Sequence, residues 1–249
     1  MPAKAKEFIF GLHPVMEAIK SGREIEKIFV KNGLRGGMYA ELMAAIKNAG
    51  IPYQSVPREK LQRITTGNHQ GVVAYISRIS YQPLENVLPA VYERGEIPFI
   101  VVLDRITDVR NMGAVARSAL CAGVHALVVP ERGGAMVTAD AVKSSAGALN
   151  SITVCREPSL VETVRYLKES GLRIVAAGER ASSLYFEESY NCPVALILGA
   201  EESGISGELA DMADADVRIP VTGPVASLNV SAAASVIIFE VIRQRMWQK

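Results

Sequence analysis

Val194-Ala195-Leu196-Ile197-Leu198-Gly199-Ala200-Glu201-Glu202-Ser203-Gly204-Ile205 is an unbroken apolar run of five residues that stops at a glycine and continues as an acidic turn. So short a run, bounded by turn residues, matches a strand buried on both faces rather than a helix. Gly199 at its end lets a ligand approach the backbone closely, and a plain turn glycine fits the same residues. The pattern recurs on both sides of this stretch, with strands expected at Phe99–Leu103, Ala126–Val129, Ile152–Cys155, Arg173–Ala177, Ala195–Leu198 and Val217–Ile219. Between them, helical spacing fits Asn111–Ala122, Ala139–Leu149, Leu160–Ser170 and Leu228–Met246. Strand alternating with helix predicts an α/β fold with a mostly parallel sheet covered on both faces. In such sheets ligands bind at the C-terminal ends of the strands.

The amino-terminal part repeats the alternation on a smaller scale. Strands are expected at Phe8–Phe10, Ile25–Lys31, Pro52–Val56 and Gly71–Ile76, and helices at His13–Lys20, Met38–Asn48 and Arg58–Ile64. Pro83, Pro89, Gly95 and Pro98 then interrupt the pattern. They predict a domain of residues 1–80, a linker of residues 81–97 with the boundary near residue 90, and a second domain of residues 98–249. Formal net charge is only +1, but residues 1–80 hold 12 Lys/Arg, Lys4 and Lys6 among them, against 6 Asp/Glu, a local excess of +6 over a remainder at −5. That asymmetry points to a polyanion as partner of the first domain, and an ordinary solvated basic surface is the alternative.

Other classes of chemistry are poorly supplied. The longest apolar runs fall far short of the roughly 20 residues that span a bilayer, and Met1–Phe10 has no apolar stretch of signal-peptide length; a cytoplasmic address is expected. Cys121, Cys155 and Cys192 form no CxxC pair and read as small buried hydrophobes. His13, His69 and His125 are scattered, so neither a metal cluster nor a hydrolytic triad is expected. No GxGxxG follows a strand, which argues against a nucleotide-dependent oxidoreductase.

Three segments place polar or turn-forming residues at strand ends. The first is Leu103-Asp104-Arg105-Ile106-Thr107-Asp108-Val109-Arg110-Asn111-Met112-Gly113-Ala114-Val115-Ala116-Arg117. Here Asn111 sits near a helix start and Arg117 about one and a half turns further on, pointing to a different side; taken by themselves, they read first as a simple N-cap and a surface charge. The second is the stretch after Leu196 quoted above. The third is Ile219-Pro220-Val221-Thr222-Gly223-Pro224-Val225-Ala226-Ser227-Leu228-Asn229-Val230-Ser231, in which Ser227 and Asn229 could be helix caps.

The order of Asn111 to Arg117, Leu-Gly-Ala-Glu-x-x-Gly and Ile-Pro…Gly…Ser-Leu-Asn-Val-Ser resembles the three motifs of the SpoU (TrmH-like) RNA ribose 2′-O-methyltransferases, over roughly residues 100–240. Glu202 stands where many relatives carry glycine, and Thr222 falls where the third motif varies. The resemblance implies a sheet whose C-terminal part is threaded into a trefoil knot, a homodimer, and S-adenosylmethionine as methyl donor. Carried over to this sequence, Gly199, Ile219 and Leu228 would hold the cofactor largely by main-chain groups, with Ala177, Gly178, Leu198 and Val221 beside them. Asn111, Arg117, Glu201, Ser227 and Asn229 would form the catalytic set, Glu201 bracing the loops or reaching Asn111 and Arg117. No metal is implied.

Phe10-Gly11-Leu12-His13-Pro14-Val15 and Asn68-His69-Gln70-Gly71-Val72 resemble features of the small RNA-binding domain, similar to one in ribosomal proteins, that precedes the catalytic domain in some members. They point to a guanosine of large-subunit (23S) ribosomal RNA as target, with transfer RNA as the second choice. His13, His69 and Gln70, with Arg58, Lys60 and Arg63 on one predicted helix, are the RNA-binding candidates. His69 and Gln70 could instead cap the loop before the strand. A guanidinium is a poor base, so Arg117 is expected to stabilise a developing alkoxide or grip a phosphate. A non-catalytic RNA-binding or ribosome-assembly protein would have no use for the five catalytic-set residues together.

Overall fold

The computed structural model describes residues 8–225 and 227–246. Lys4, Lys6 and Ala226, which entered the sequence reading, lie outside the described residues. Contacts divide the described chain into two units, residues 8–80 with 136–139 and residues 81–135 with 140–246.

The first unit runs β1 (Phe8–Phe10), α1 (Leu12–Lys20), β2 (Ile25–Lys31), α2 (Gly37–Asn48), β3 (Tyr53–Val56), α3 (Arg58–Ile64) and β4 (Val72–Ile76). Its sheet has the order β1-β4-β2-β3, with β4 antiparallel to both neighbours and β2 parallel to β3. Alternation along the strands separates two cores. Ile28, Val30, Val72 and Ala74 pack with Val15, Leu42 and Ile46 of α1 and α2, while Phe29, Val73 and Val56 pack with Leu61 of α3.

The second unit continues with α4 (Leu84–Glu93), β5 (Phe99–Leu103), α5 (Val109–Cys121), β6 (Ala126–Pro130), α6 (Ala139–Ser144), a 3₁₀ turn at Ala148–Asn150, β7 (Val154–Glu157) and α7 (Leu160–Glu169). After these come β8 (Arg173–Ala177), β9 (Ser183–Leu184), β10 (Val194–Leu198), α8 (Gly207–Asp211), β11 (Ala215–Arg218) and α9 (Val230–Met246). The seven strands form one sheet, order β7-β6-β5-β10-β8-β11-β9, and every pairing in it is parallel. The stretch Val194–Leu198 is its central strand, buried at all five positions.

On one face, Ile100, Val102, Val128, Ile174 and Ile197 pack under Leu84 and Leu88 of α4, Val164 and Leu167 of α7 and Leu209 of α8. The alternate strand residues face the other side, where the guanidinium of Arg245 in α9 lies 5.4 Å from the centre of the Phe99 ring. That guanidinium donates to the carbonyls of Ile97, Pro98, Tyr190 and Cys192 at 2.8–3.1 Å, tying the end of α9 to the N-terminal edge of the sheet. A 17-residue helix spans about 25 Å, so the start of α9 is delivered to the opposite, C-terminal edge. At mid-length Ser118 and Ser235 share a hydrogen bond of 2.7 Å between α5 and α9.

Several expectations need correction. Residues 81–97 hold α4, not a linker: Leu84, Leu88 and Val91 are buried at helical spacing, Pro83 is the N-cap, and Pro89 is tolerated inside. The helix expected over Ala139–Leu149 stops at Ser144, because Ala146 and Gly147 take positive φ angles of 50° and 87°. Neither α8 nor the two-residue β9 was anticipated. Finally, Cys155 is buried, which pushes its thiol pKa up to about 12, but Cys192 is half-buried and Cys121 is exposed at the end of α5. No helix of the described residues is long and apolar enough to cross a membrane.

Candidate active site

The registers align Leu103, Leu198, Ala177 and Val217 at one edge of the sheet. The loops beyond them enclose a cavity of about 650 Å³, within the range usual for small-molecule sites. Its wall follows from the strand ends: Ala177 and Gly178 close β8, Leu198 and Gly199 close β10, and Ile219 and Val221 follow β11. Leu228, expected as the first residue of the last helix, instead precedes it and lines the cavity with Ser227. Val221 and Leu228 keep 43% and 45% of their surface exposed, an apolar rim that a flat ring could cover.

Gly199 is required by close packing. A Cβ there would lie 2.2 Å from the carbonyl carbon of Gly204 and 2.3 Å from the nitrogen of Ile205. The following turn is closed by Gly204 N donating to Ala200 O at 2.9 Å, which leaves Glu201 at its tip.

Three side chains converge there from three elements. Asp108 caps α5, its carboxylate accepting from Arg110 N at 2.7 Å, so the helix starts at Val109 and the cap role suggested for Asn111 is already filled. The Arg110 guanidinium beside Asp108, and then the Arg110 backbone N–H, hold the Asp108 pKa below its ordinary value. The Asn111 amide instead donates to Glu201 Oε1 at 3.1 Å and accepts from Asn229 Nδ2 at 3.0 Å. Asn229 Nδ2 also donates to Glu201 Oε1. The Asn229 oxygen accepts from Ser231 N at 2.9 Å, so this residue both caps α9 and joins the network. A carboxylate with two amide donors makes charge-assisted bonds that fix the three side chains mutually.

Arg117 stands outside this network. It is exposed on α5, and no described residue hydrogen-bonds or ion-pairs with its guanidinium. Six residues at 100° each place it about 120° around the helix from Asn111, which is why Glu201 reaches Asn111 but not Arg117. Ser227 is exposed at the cavity and likewise has no hydrogen-bond partner among the described residues. The buried Asp104, whose carboxylate accepts from Ser206 N at 2.7 Å, is a site residue to which the sequence motifs assign no role. A carboxylate directly after a wholly apolar strand was its available signal.

In the first unit the candidates separate. His69 is 9% exposed, and its Nδ1 accepts from Gly71 N at 3.0 Å. Gln70, at φ 49°, accepts from Leu12 N through Oε1 at 3.1 Å. Both thus brace the turn, as the loop-capping alternative has it, beside a cavity that Arg58 and Lys31 also line. Lys60 and Arg63 line a different groove with Phe8 and Tyr75, and His13 is exposed on α1. Lys60 and Lys27 sit 4.8 and 5.4 Å from the centre of the Phe29 ring. Burial, and secondarily the Lys60 charge, lower the Lys27 pKa. Among the described residues no group of three or more His, Cys, Asp or Glu is placed to hold a metal ion.

Residues 98–239 match the SpoU rRNA methylase family, and residues 8–82 match the family described as RNA 2′-O ribose methyltransferase substrate binding. The chain is 36% identical over 241 residues to the Yersinia pestis 23S rRNA (guanosine-2′-O-)-methyltransferase RlmB, covering 96% of this chain and 98% of that one. It is 34% identical over 239 residues to YacO of Bacillus subtilis, assigned to the TrmH family of tRNA/rRNA methyltransferases, covering 96% of each. Among solved structures it is similar to the SpoU methyltransferase AviRb of Streptomyces viridochromogenes in complex with S-adenosylmethionine, with 25% identity, TM-score 0.60, and 96% of this chain and 90% of that one covered. An S-adenosylmethionine-bound rRNA methyltransferase from Sinorhizobium meliloti gives 26% identity and TM-score 0.60, with 95% and 86% covered. A cavity at the C-terminal edge of a parallel sheet, a Glu–Asn–Asn network beside it and matches over nearly the whole chain lead to one conclusion: the chain belongs to the SpoU family of S-adenosylmethionine-dependent RNA 2′-O-methyltransferases.

Proposed function

We propose that this protein methylates the ribose 2′-hydroxyl of a guanosine in 23S ribosomal RNA, with S-adenosylmethionine held in the cavity at the ends of β8, β10 and β11. The observation that carries the site is the Asn111–Glu201–Asn229 network beside that cavity. The guanosine and the ribosomal substrate rest on the likeness to RlmB over 96% of this chain. The name of YacO covers both transfer and ribosomal RNA, so transfer RNA is the second reading.

The cavity fits the cofactor by its volume, its apolar rim at Val221 and Leu228, and the main chain of Gly199 and Ile219 in its wall. When bound, S-adenosylmethionine supplies an electrophilic methyl group. Leu198, Gly199 and Ile219 offer backbone groups to it, while Ala177 and Gly178 leave room at the end of β8. Asn111, Glu201 and Asn229 keep the loops from moving, which supplies the positioning that an in-line displacement needs. Ser227 presents its hydroxyl at the cavity mouth. Arg117, exposed and without a partner among the described residues, donates a hydrogen bond to the ribose 2′-oxygen while the proton of that hydroxyl passes to solvent water, or else to the phosphate next to it.

RNA is held by the first unit through His13, Arg58, Lys60 and Arg63, with His69 and Gln70 shaping the turn beside Arg58; contacts of cations with phosphates are salt-dependent. In the same reading the protein is a cytoplasmic homodimer, to which the exposed Leu120 and Phe239 of α5 and α9 offer apolar surface. Its sheet is threaded as a trefoil knot; the position of the late strand β10 between β5 and β8 supports this.

The test is transfer of labelled methyl from S-adenosylmethionine to total RNA of a methylation-deficient host, mapped by nuclease digestion and mass spectrometry. We expect 2′-O-methylguanosine in large-subunit RNA. Label confined to transfer RNA would keep the chemistry and overturn the substrate, and label on no RNA would overturn both.

A further inference from the structure

Arg105 has an unusual backbone for its residue type. Its φ is +56°, and of the three described non-glycine residues with positive φ it alone belongs to the loops at the C-terminal edge of the large sheet. A side chain in the left-handed region is disfavoured by contact of Cβ with the backbone. Such outliers persist only where surrounding contacts impose them, and they concentrate at functional sites.

The contacts that impose this one are specific. The preceding residue, Asp104, is 4% exposed; its N–H donates to Leu198 O at 2.8 Å, and its carboxylate accepts from Ser206 N at 2.7 Å and from Arg105 Nε at 3.3 Å. The left-handed turn aims the Arg105 guanidinium across the sheet edge, where Nη2 donates to Gly204 O at 3.1 Å. Gly204 is the residue whose carbonyl carbon lies against Gly199 and whose N–H closes the turn bearing Glu201. Asp104 and Arg105 therefore hold the segment from Leu198 to Ser206 at its two ends and at Gly204.

We propose that Arg105 is a positioning residue of the methyltransferase. With Asp104 it clasps the 199–206 loop in the shape that forms one wall of the cofactor cavity and presents Glu201 to Asn111 and Asn229. The side chain does not line the cavity; it acts through the Gly204 carbonyl. The inference rests on the assignment of that cavity to S-adenosylmethionine. Arg105→Gly separates the two consequences of the residue, because glycine adopts the positive φ without strain while the clasp is lost.

The experiment measures the S-adenosylmethionine KM, kcat at saturating cofactor and Tm for the full-length wild type, Arg105→Gly, Arg105→Lys and Leu228→Trp. Arg105→Gly is expected to raise the cofactor KM about tenfold, the equivalent of one hydrogen bond from a charged donor, with Tm unchanged or higher. Arg105→Lys, which keeps a cationic donor for Gly204 O, should recover part of that loss. Leu228→Trp fills the cavity and should raise KM whatever Arg105 does. A wild-type KM in Arg105→Gly beside an impaired Leu228→Trp overturns the clasp and leaves the cavity assignment standing. A wild-type KM in Leu228→Trp removes the cavity assignment and the clasp with it. KM rising only in step with a falling Tm in both Arg105 variants would reduce Arg105 to a structural role and overturn the proposal.

Discussion

Arg117→Ala is expected to lower kcat for methyl transfer by about 10²- to 10³-fold, the usual cost of removing one preorganised donor from developing negative charge. S-adenosylmethionine affinity should stay unchanged, because Arg117 touches neither the cavity wall nor the Asn111–Glu201–Asn229 network. The reason is the solitude of the side chain: it is an exposed cation on the helix that carries Asn111, with no hydrogen-bond or ion-pair partner among the described residues. Single-turnover rates at saturating RNA separate the two proposed roles. A fall in rate with unchanged RNA affinity assigns Arg117 to the 2′-oxygen, whereas a weaker RNA Kd with an unchanged rate assigns it to the phosphate. A changed shape of the pH–rate profile in Arg117→Lys, beyond any change in RNA affinity, would rule out phosphate-gripping alone.

Gly199→Ala should weaken S-adenosylmethionine binding about a hundredfold, equivalent to roughly 3 kcal/mol. The added Cβ would sit 2.2 Å from one backbone atom and 2.3 Å from another. Neither belongs to a flexible side chain that could swing aside, so relief requires the turn itself to move. That turn carries Glu201, whose carboxylate also meets the backbone N–H of Val230 at 3.4 Å, and the displacement therefore spreads to the first turns of α5 and α9. Gly207→Ala is the control, since a Cβ there meets nothing within 4 Å. Calorimetric titration of both variants with S-adenosylmethionine checks the difference; equal affinities would show that the Gly199 contact does not shape the cofactor site.

The parts of this structure that could be read in the sequence are those in which local pattern and burial coincide. Phe99–Leu103 and Val194–Leu198 are apolar at every position and buried at every position, so composition alone located two adjacent strands and the edge at which they end. Helix α4 was hidden for the opposite reason. Pro83, Pro89, Gly95 and Pro98 look like chain breakers, yet Leu84, Leu88 and Val91 carry the helical spacing, and Pro83 occupies a cap position where a missing N–H costs nothing. The five-residue α8 and two-residue β9 are too short to show any period.

The site divides in the same way. Gly199 and Asn229 each leave a local trace, as a turn glycine and a helix cap. Their meeting does not, because Asn111 is 90 residues from Glu201 and 118 from Asn229. Only the order of the three motifs, recognised by resemblance, brought them together. The left-handed backbone of Arg105 had no sequence signal, since the sign of φ at a non-glycine residue is set by tertiary contacts rather than by residue type.

The measurement closest to the central claim is a crystal structure of the full-length protein with S-adenosylmethionine bound. The account predicts cofactor density in the cavity walled by Gly199, Ile219 and Leu228, with the Asn111–Glu201–Asn229 hydrogen bonds intact beside it. Cofactor density at another place on the chain, with this cavity filled by solvent alone, would contradict it.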